Sequence, residues 1–402
     1  MKNIICLMGL FPAEYYEEII QQSKGNVQYA AHSLQSSIIS GLSEWSKSIS
    51  IVNLPFVGSF PSRYRKIHTR SFGFKIANGD NIINGENVSF CNLTVFKLLS
   101  RYLSAKRELK KHIATLQENV ILIYSVHTPF LLASACIKRK FKNVKIILII
   151  PDLPEYMSHD KSRLRSMLEA VNSRMLNRLY GYVDGYVLLS EYMREKLPMK
   201  DKKWTVMEGI YNDLEFQSYA TCDTEKYILY TGTLAKRYGI LNLVNAFMTI
   251  KNADIKLYIC GDGDAREEII KLSRVDGRIN YLGLVKREHA LLYQKNAMLL
   301  VNPRTPEGAF TKYSFPSKIM EYLASGVPTL MYRLPGIPTE YYDYCYAVEE
   351  TGIEYLSDAL EKVINISEEQ RRSKGDLARK FILSKKCPKV QTKKIVDLIS
   401  SL

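Results

Sequence analysis

Residues 314–326 read SFPSKIMEYLASG and lie between two short apolar runs, AMLLVNP at 297–303 and PTLMY at 328–332. Pro316 has a fixed φ and no N–H to lose, which suits the first turn of a helix. Gly326 suits the position just past a helix end. Ile319 and Leu323 share one face at a four-residue step, and Glu321 points away from it. The stretch predicts a helix between two buried strands.

The same alternation extends outward in both directions. Apolar runs of strand type recur at NIICLM (3–8), SISIVNL (48–54), NVILIYS (119–125), VKIILII (144–150), GYVLLS (185–190) and WTVMEG (204–209). Beyond residue 220 come YILYTG (227–232), IKLYICG (255–261) and INYLG (279–283). These runs are apolar on both faces, as parallel strands covered on each side by helices are. Helical patterns fall between them, such as Val27, Ala30, Ala31, Leu34, Ile38 and Leu42, or Ile240, Leu243, Val244 and Phe247. A chain of 402 residues is long for one core. Two successive strand–helix series imply an α/β protein of two doubly wound, Rossmann-like domains with one cleft between them. The boundary is expected in the polar stretch 210–226, giving domains 1–212 and 213–384.

Residues 49–118 interrupt the alternation. They hold one clear strand, then a Gly/Asn-rich passage at 73–90 and an amphipathic helix expected over about 94–116. That helix sets Phe96, Leu99, Leu103 and Leu109 against Lys97, Arg101, Lys106 and Lys110. Either the apolar side packs in the core with a solvated basic face, or the helix lies on a membrane surface.

Charge is unevenly spread. Residues 1–210 hold 29 Lys and Arg against 17 Asp and Glu, while the remainder holds 27 against 24. A one-sided basic field attracts phosphates, including those of an anionic leaflet. The basic clusters lack interleaved aromatics, which argues against nucleic acid. Seven scattered cysteines with no CxxC pair argue against a disulfide framework or structural zinc. The N-terminal apolar run is too short to span a bilayer and reads as a buried strand, so the chain is expected to be cytoplasmic.

Ligands of open parallel sheets bind at the C-terminal ends of strands, and three such ends carry unusual residues. In TGTLAKRYGI (231–240), Gly232 follows a strand, and Lys236 and Arg237 precede Gly239. In CGDGDAREE (260–268), Gly261 and Gly263 permit a tight turn and Asp264 is a candidate helix cap. The third is the stretch 302–328. Amides at its helix start, around Ser317 and Lys318, form a ready anion site, and Glu321 can accept hydrogen bonds from a ribose diol beyond it.

Together these stretches resemble glycosyltransferases of family 4, retaining enzymes with the GT-B fold. The resemblance is carried by TGTLAKRYGILNLVNAF, YICGDGD, INYLGLV and FPSKIMEYLASGVP, with QYAAHSLQ, YSVHTPF and IPDLPEYM in the first half. It is nearest to enzymes that build capsular, exopolysaccharide or other cell-surface glycans. The resemblance implies transfer from a UDP- or GDP-linked sugar to a glycan or lipid-linked saccharide, with no cofactor and no metal. It assigns Glu321 to the ribose, Ser317 and Lys318 to the diphosphate, and Lys236 and Arg237, with Gly232 and Thr233, to the phosphate clamp. Leu284 and Val285 would border the base, and His127 would orient the transferred sugar. Gly25 and Asn26 occupy a phosphate- or acceptor-facing loop. A C-terminal helix, about 385–402, would cross back to the first domain.

Two departures from the family pattern stand out. The position eight before Glu321, where a second glutamate is usual, is Tyr313, and Glu307 is out of register. The position before the turn glycine, usually lysine, is Tyr238. An epimerase would need acid/base groups in the cleft, and the six histidines include no pair. The alternative is a catalytically degenerate glycosyltransferase-like subunit that binds glycan or scaffolds a partner, which Tyr313 favours. The basic first half adds an expectation of peripheral contact with the inner face of an anionic membrane.

Overall fold

The computed structural model describes residues 2–25, 27–153, 163–212 and 225–402. The chain divides into two compact units, Met1–Ile210 with Pro388–Leu402, and Tyr211–Cys387.

The first unit opens with β1 (Asn3–Met8), α1 (Ala13–Gln22), α2 (Tyr29–Ser43), β2 (Ile49–Asn53), β3 (Phe72–Asn78) and β4 (Asn81–Asn87). It continues through α3 (Lys97–His112), β5 (Asn119–Tyr124), α4 (Thr128–Lys140), β6 (Val144–Ile150), α5 (Arg163–Tyr180), β7 (Gly185–Leu188) and β8 (Lys203–Val206). The sheet order is β3-β4-β2-β1-β5-β6-β7-β8, and only the β3–β4 pair is antiparallel. Strand β5 is buried along its whole length, and β1 and β6 nearly so, as interior parallel strands are.

Residues 73–90, where the sequence shows no clear strand, belong largely to the β3–β4 hairpin. A two-residue turn closes it, with Gly79 at φ 56°. Only alternate side chains face the core, among them Phe74 and Ile83. A hairpin covered on one face shows period two rather than an unbroken apolar run, and its signal is diluted by the polar residues of the other face.

Helix α3 corrects a second expectation. Its buried residues are Arg101, Ala105, Glu108 and Leu109, while Phe96, Leu99 and Leu103 are more than half exposed. Arg101, only 1% exposed, donates from Nη2 to Leu54 O at 2.6 Å and from Nη1 to Pro55 O at 3.1 Å. Its guanidinium carbon stands 4.5 Å from the Phe90 ring centre and 5.3 Å from those of Phe56 and Phe130. Two carbonyl acceptors and three aromatic faces hold the buried cation, although its Nε has no hydrogen-bond partner, so hydrophobicity alone assigned the wrong face.

The second unit runs β9 (Lys226–Thr231), α6 (Ile240–Thr249), β10 (Ile255–Cys260), α7 (Arg266–Val275), β11 (Ile279–Gly283), α8 (Arg287–Asn296) and β12 (Leu299–Asn302). Then come α9 (Ser317–Ala324), β13 (Thr329–Tyr332), β14 (Tyr346–Val348), α10 (Ile353–Asn365) and α11 (Glu368–Lys385). Its sheet is parallel in the order β11-β10-β9-β12-β13-β14. Strand order reverses between β9 and β12, the crevice where such sheets take their ligands. The stripe Ile240, Leu243, Val244 and Phe247 is fully buried on this sheet.

The last helix, α12 (Pro388–Ser401), belongs to the first unit. It buries Ile395, Leu398 and Ile399 in that core, and Lys394 pairs with the buried Glu208 at 3.2 Å. Among the described residues no helix is long and apolar enough to cross a membrane.

Candidate functional site at the C-terminal edge of the second sheet

The loops after β9, β10 and β12 pack backbone against backbone. Gly261 sits at φ 144°, and a Cβ there would fall 1.8 Å from Gly232 O. Gly239, at φ 76°, would place a Cβ 2.2 Å from Pro303 O. Only glycine permits both conformation and approach. Amide bonds tie the loops: Gly232 N to Cys260 O at 3.0 Å, Leu234 N to Asp262 O at 2.9 Å, and Ala265 N to Leu234 O at 2.9 Å. Asp264 does not cap α7, whose N-cap is Ala265. It accepts from Lys236 N at 2.8 Å and pins the β9 loop instead.

Glu321 stands beside these loops. Ile319 and Leu323 bury one side of α9 completely, leaving Glu321 to face the edge with 13% of its side chain exposed. Its Oε1 accepts from Gln294 Nε2 and from Lys318 Nζ, both at 2.7 Å, and its Oε2 accepts from Arg287 Nη1 at 3.2 Å. The same Gln294 nitrogen donates to Thr231 Oγ1 at 2.9 Å. Tyr322 OH completes the tie, accepting from Thr231 N at 2.8 Å and donating to Thr231 O at 3.0 Å. Burial by itself would raise the Glu321 pKa, but Lys318, Gln294 and Arg287 outweigh it and hold the carboxyl below its ordinary range. Glu321 is therefore ionised at neutral pH. Helix α9 starts at Ser317 with no side-chain cap bond, and the first amides of any helix lack intrahelical partners.

Besides Lys318 and Arg287, which pair with Glu321, the cations near this edge fall into two groups. Lys236 Nζ is paired with Glu268 at 2.8 Å on the surface. Arg237 and Arg304 instead flank the same two rings. The Arg237 guanidinium lies 5.0 Å from the Tyr238 ring centre and 5.7 Å from that of Phe310. For Arg304 the distances are 4.3 and 5.1 Å. Burial lowers the Arg304 pKa from its ordinary value, against the opposing effect of its hydrogen bond with Tyr238. Tyr238, where the family pattern has lysine, thus acts as a platform that holds two guanidiniums. Tyr313 is 8% exposed and Glu307 is exposed.

Leu284, 78% exposed, follows β11 on the same edge, and Val285 packs partly against a smaller apolar cluster. Gly232, Thr233, Lys236, Arg237, Leu284, Val285, Ser317, Lys318 and Glu321 all lie in the second unit, at its strand ends or on the helix after β12. Sequence reasoning missed Arg287, Gln294, Arg304 and Tyr322. Tyr322 adjoins Glu321 inside the quoted stretch and Arg304 lies in the stretch 302–328. Nothing in the pattern marks Gln294.

His127 and Gly25 belong to the first unit. His127 precedes α4 at the C-terminal end of β5, its ring 4.5 Å from Phe130 and 5.6 Å from Phe56. Its Nδ1 is buried without a hydrogen-bond partner. Burial, then the charges of Arg101 and Lys97, hold its pKa well below the ordinary value, so the ring is neutral. Lys97 Nζ donates to Val57 O at 2.5 Å, and burial, then Arg101 and Arg63, push its pKa down to about 7. Gly25 lies in the loop before α2 at φ 91°. Asn26 and residues 154–157 of the IPDLPEYM stretch lie outside the described residues.

Residues 225–366 match the family described as Glycosyl transferases group 1. An N-acetyl-alpha-D-glucosaminyl L-malate synthase from Bacillus anthracis is 27% identical over 172 residues, 41% of this chain and 43% of that protein. The chain thus matches under half the length of this curated relative. Sucrose-phosphate synthase from Thermosynechococcus elongatus superposes with a TM-score of 0.68 at 13% identity, over 100% of this chain and 99% of that one. HepE of Anabaena, in complex with UDP, gives 0.60 at 12% identity over 100% of both chains. With the two sheets described above, these matches define a GT-B protein. Within that fold the chain is similar to glycosyltransferases, through residues 225–366 and the partial match to the Bacillus anthracis enzyme.

Proposed function

We propose that this protein transfers a sugar from a nucleoside diphosphate donor to a saccharide acceptor with retention of anomeric configuration. The observation that carries the reading is the Glu321 carboxylate, held ionised by Lys318, Gln294 and Arg287 beside the β9–β12 switch point. A carboxylate so fixed is an acceptor for a ribose diol, and the α9 start together with Arg237 and Arg304 suits the diphosphate. Lys236, already neutralised by Glu268, is the weaker cation of the clamp. UDP is the favoured nucleotide, because HepE, similar in fold, is solved with it.

In the proposed reaction the bond between the anomeric carbon and the β-phosphate oxygen breaks as the acceptor oxygen bonds to that carbon from the same face. The acceptor's proton passes to a departing phosphate oxygen. Guanidiniums and helix amides stabilise the charge that develops on the leaving group, which makes the step metal-independent. His127, neutral and partly exposed at the end of β5, orients a sugar hydroxyl rather than removing a proton. The first unit binds the acceptor, a glycan or lipid-linked saccharide of the cell surface. Incubating the protein with UDP- and GDP-sugars and a panel of saccharide acceptors tests this, with the product anomer read by NMR and chelator present. The reading expects an anomer matching the donor and survival of activity in chelator; an inverted anomer or loss on chelation overturns those parts.

Tyr313, buried where the family pattern has a glutamate, favours a second reading, a glycan-binding subunit without transfer. Nucleotide-sugar turnover by the purified chain separates the two.

A further inference from the structure

We infer that the exposed face of α3 seats this protein on an anionic lipid surface. Phe96, Leu99, Leu103, Lys106 and Lys110 follow one another at steps of three and four, so they form a single stripe along the helix. The stripe points outward. Phe96 is 58% exposed, Leu99 56% and Leu103 53%, and Lys106 and Lys110 are exposed as well. Val95 and Leu98 widen its apolar end, at 83% and 57% exposed. Its other end is basic, with Arg107 and Lys111 also exposed.

The division of the stripe decides the occupant. Its apolar half is what the acyl boundary takes, and its lysine half is what anionic headgroups take. The one acidic residue of α3, Glu108, is turned inward, 7% exposed, and paired with Lys111 at 2.8 Å, so the outward face carries no carboxylate. Helix α4 packs alongside through Tyr102 OH and Cys136 Sγ at 3.5 Å and adds the exposed Arg139 and Lys140 at its own end. A protein interface would favour the opposite composition, since its core is depleted in lysine. The inversion of α3 has a cause inside the fold: Arg101 and Lys97 are drawn inward by the carbonyls of Leu54, Pro55 and Val57. That leaves Leu99 and Leu103 with no core to enter, while Leu109 on the other side is buried.

The position matters as well as the composition. Lys97, in the first turn of α3, bonds the loop that follows β2, so the apolar end lies beside the C-terminal ends of the first sheet's strands. A lipid surface docked there lies next to the edge where open sheets take ligands. Membrane seating stands without the proposed transfer reaction; only the further step, that the acceptor is lipid-linked, rests on it.

Sedimentation of the full chain with phosphatidylcholine vesicles, with and without phosphatidylglycerol, tests the docking. The protein is expected to sediment with the anionic vesicles and to remain in solution with the neutral ones. Lys106→Glu/Lys110→Glu should lower partition about tenfold or more. Leu99→Ser/Leu103→Ser should lower it at unchanged charge. A charge-matched control on exposed residues of the second unit, Lys251→Glu/Lys271→Glu, should partition as the wild type does. Equal binding to both vesicles, an equal loss in the control, or wild-type partition by the α3 variants overturns the proposal. So does self-association through α3 without vesicle binding. The thermal shift produced by UDP, measured on the same variants, keeps a failure of docking distinct from a failure of donor binding.

Discussion

Gln294 joins Glu321 to the end of β9: one amide nitrogen lies 2.7 Å from Glu321 Oε1 and 2.9 Å from Thr231 Oγ1. A residue on α8 thereby fixes a carboxylate on α9 against the strand that begins the sheet. Gln294→Leu keeps the volume and removes both bonds. UDP affinity should fall about tenfold, the worth of one charge-assisted bond. Because Gln294 helps hold the Glu321 pKa down, its loss raises that pKa, and the acid limb of UDP binding should move to higher pH. Titration calorimetry between pH 4 and 8 reads both effects; unchanged affinity with an unchanged acid limb contradicts the assignment.

Lys236, after β9, and Arg304, after β12, should behave differently. Arg304→Met removes a desolvated guanidinium while preserving contact with Tyr238 and Phe310, and should weaken UDP binding about tenfold or more. Lys236→Met breaks only an exposed pair with Glu268 and should change it less than about threefold. The reverse ranking in a binding titration would return the clamp to Lys236.

Lys97 sets a pH dependence of stability. Its folded pKa is about 7, below the ordinary value of about 10.4, so between those limits the unfolded chain binds more protons than the folded one. Stability therefore rises with pH across that window, and the full cost of the buried charge is present below it. Lys97→Met should have its largest relative advantage near pH 6 and lose about 1 kcal/mol or more of it by pH 9. Both tryptophans, Trp45 and Trp204, lie in the first unit, so their fluorescence in urea follows the relevant unfolding. A difference between variant and wild type that does not move with pH contradicts the account.

Close approach at the glycine turns should appear as stability. Gly261→Ala forces a Cβ to 1.8 Å from Gly232 O at φ 144° and should cost about 3 kcal/mol or more. Gly277→Ala, with open space around it, should stay within about 0.5 kcal/mol. Calorimetric melting of the two variants checks the contrast, and equal midpoints would remove the turn argument.

Interior strands were legible because burial on both faces makes them unbroken apolar runs, as in NVILIYS and VKIILII. The β3–β4 hairpin was not, since half its residues face solvent and its glycines and asparagines read as loop. In the site, Glu321 and the Gly232–Gly239 turn were legible from local pattern, because a helix start and a strand end are set by neighbours in sequence. Gln294 and Arg287 were not, because their role depends on α8 meeting α9 in space. The face of α3 was misread for a related reason: hydrophobicity counts leucines, and carbonyls from residues 54–57 decided which side turned inward.

The proposed transfer stands on Glu321 holding the nucleotide of the donor. Titrating UDP and GDP into the wild type and into Glu321→Ala tests it most directly. At least one nucleotide should bind the wild type, and should bind the variant about tenfold more weakly or worse. Equal affinity in the two proteins, or binding of neither nucleotide to the wild type, would contradict it.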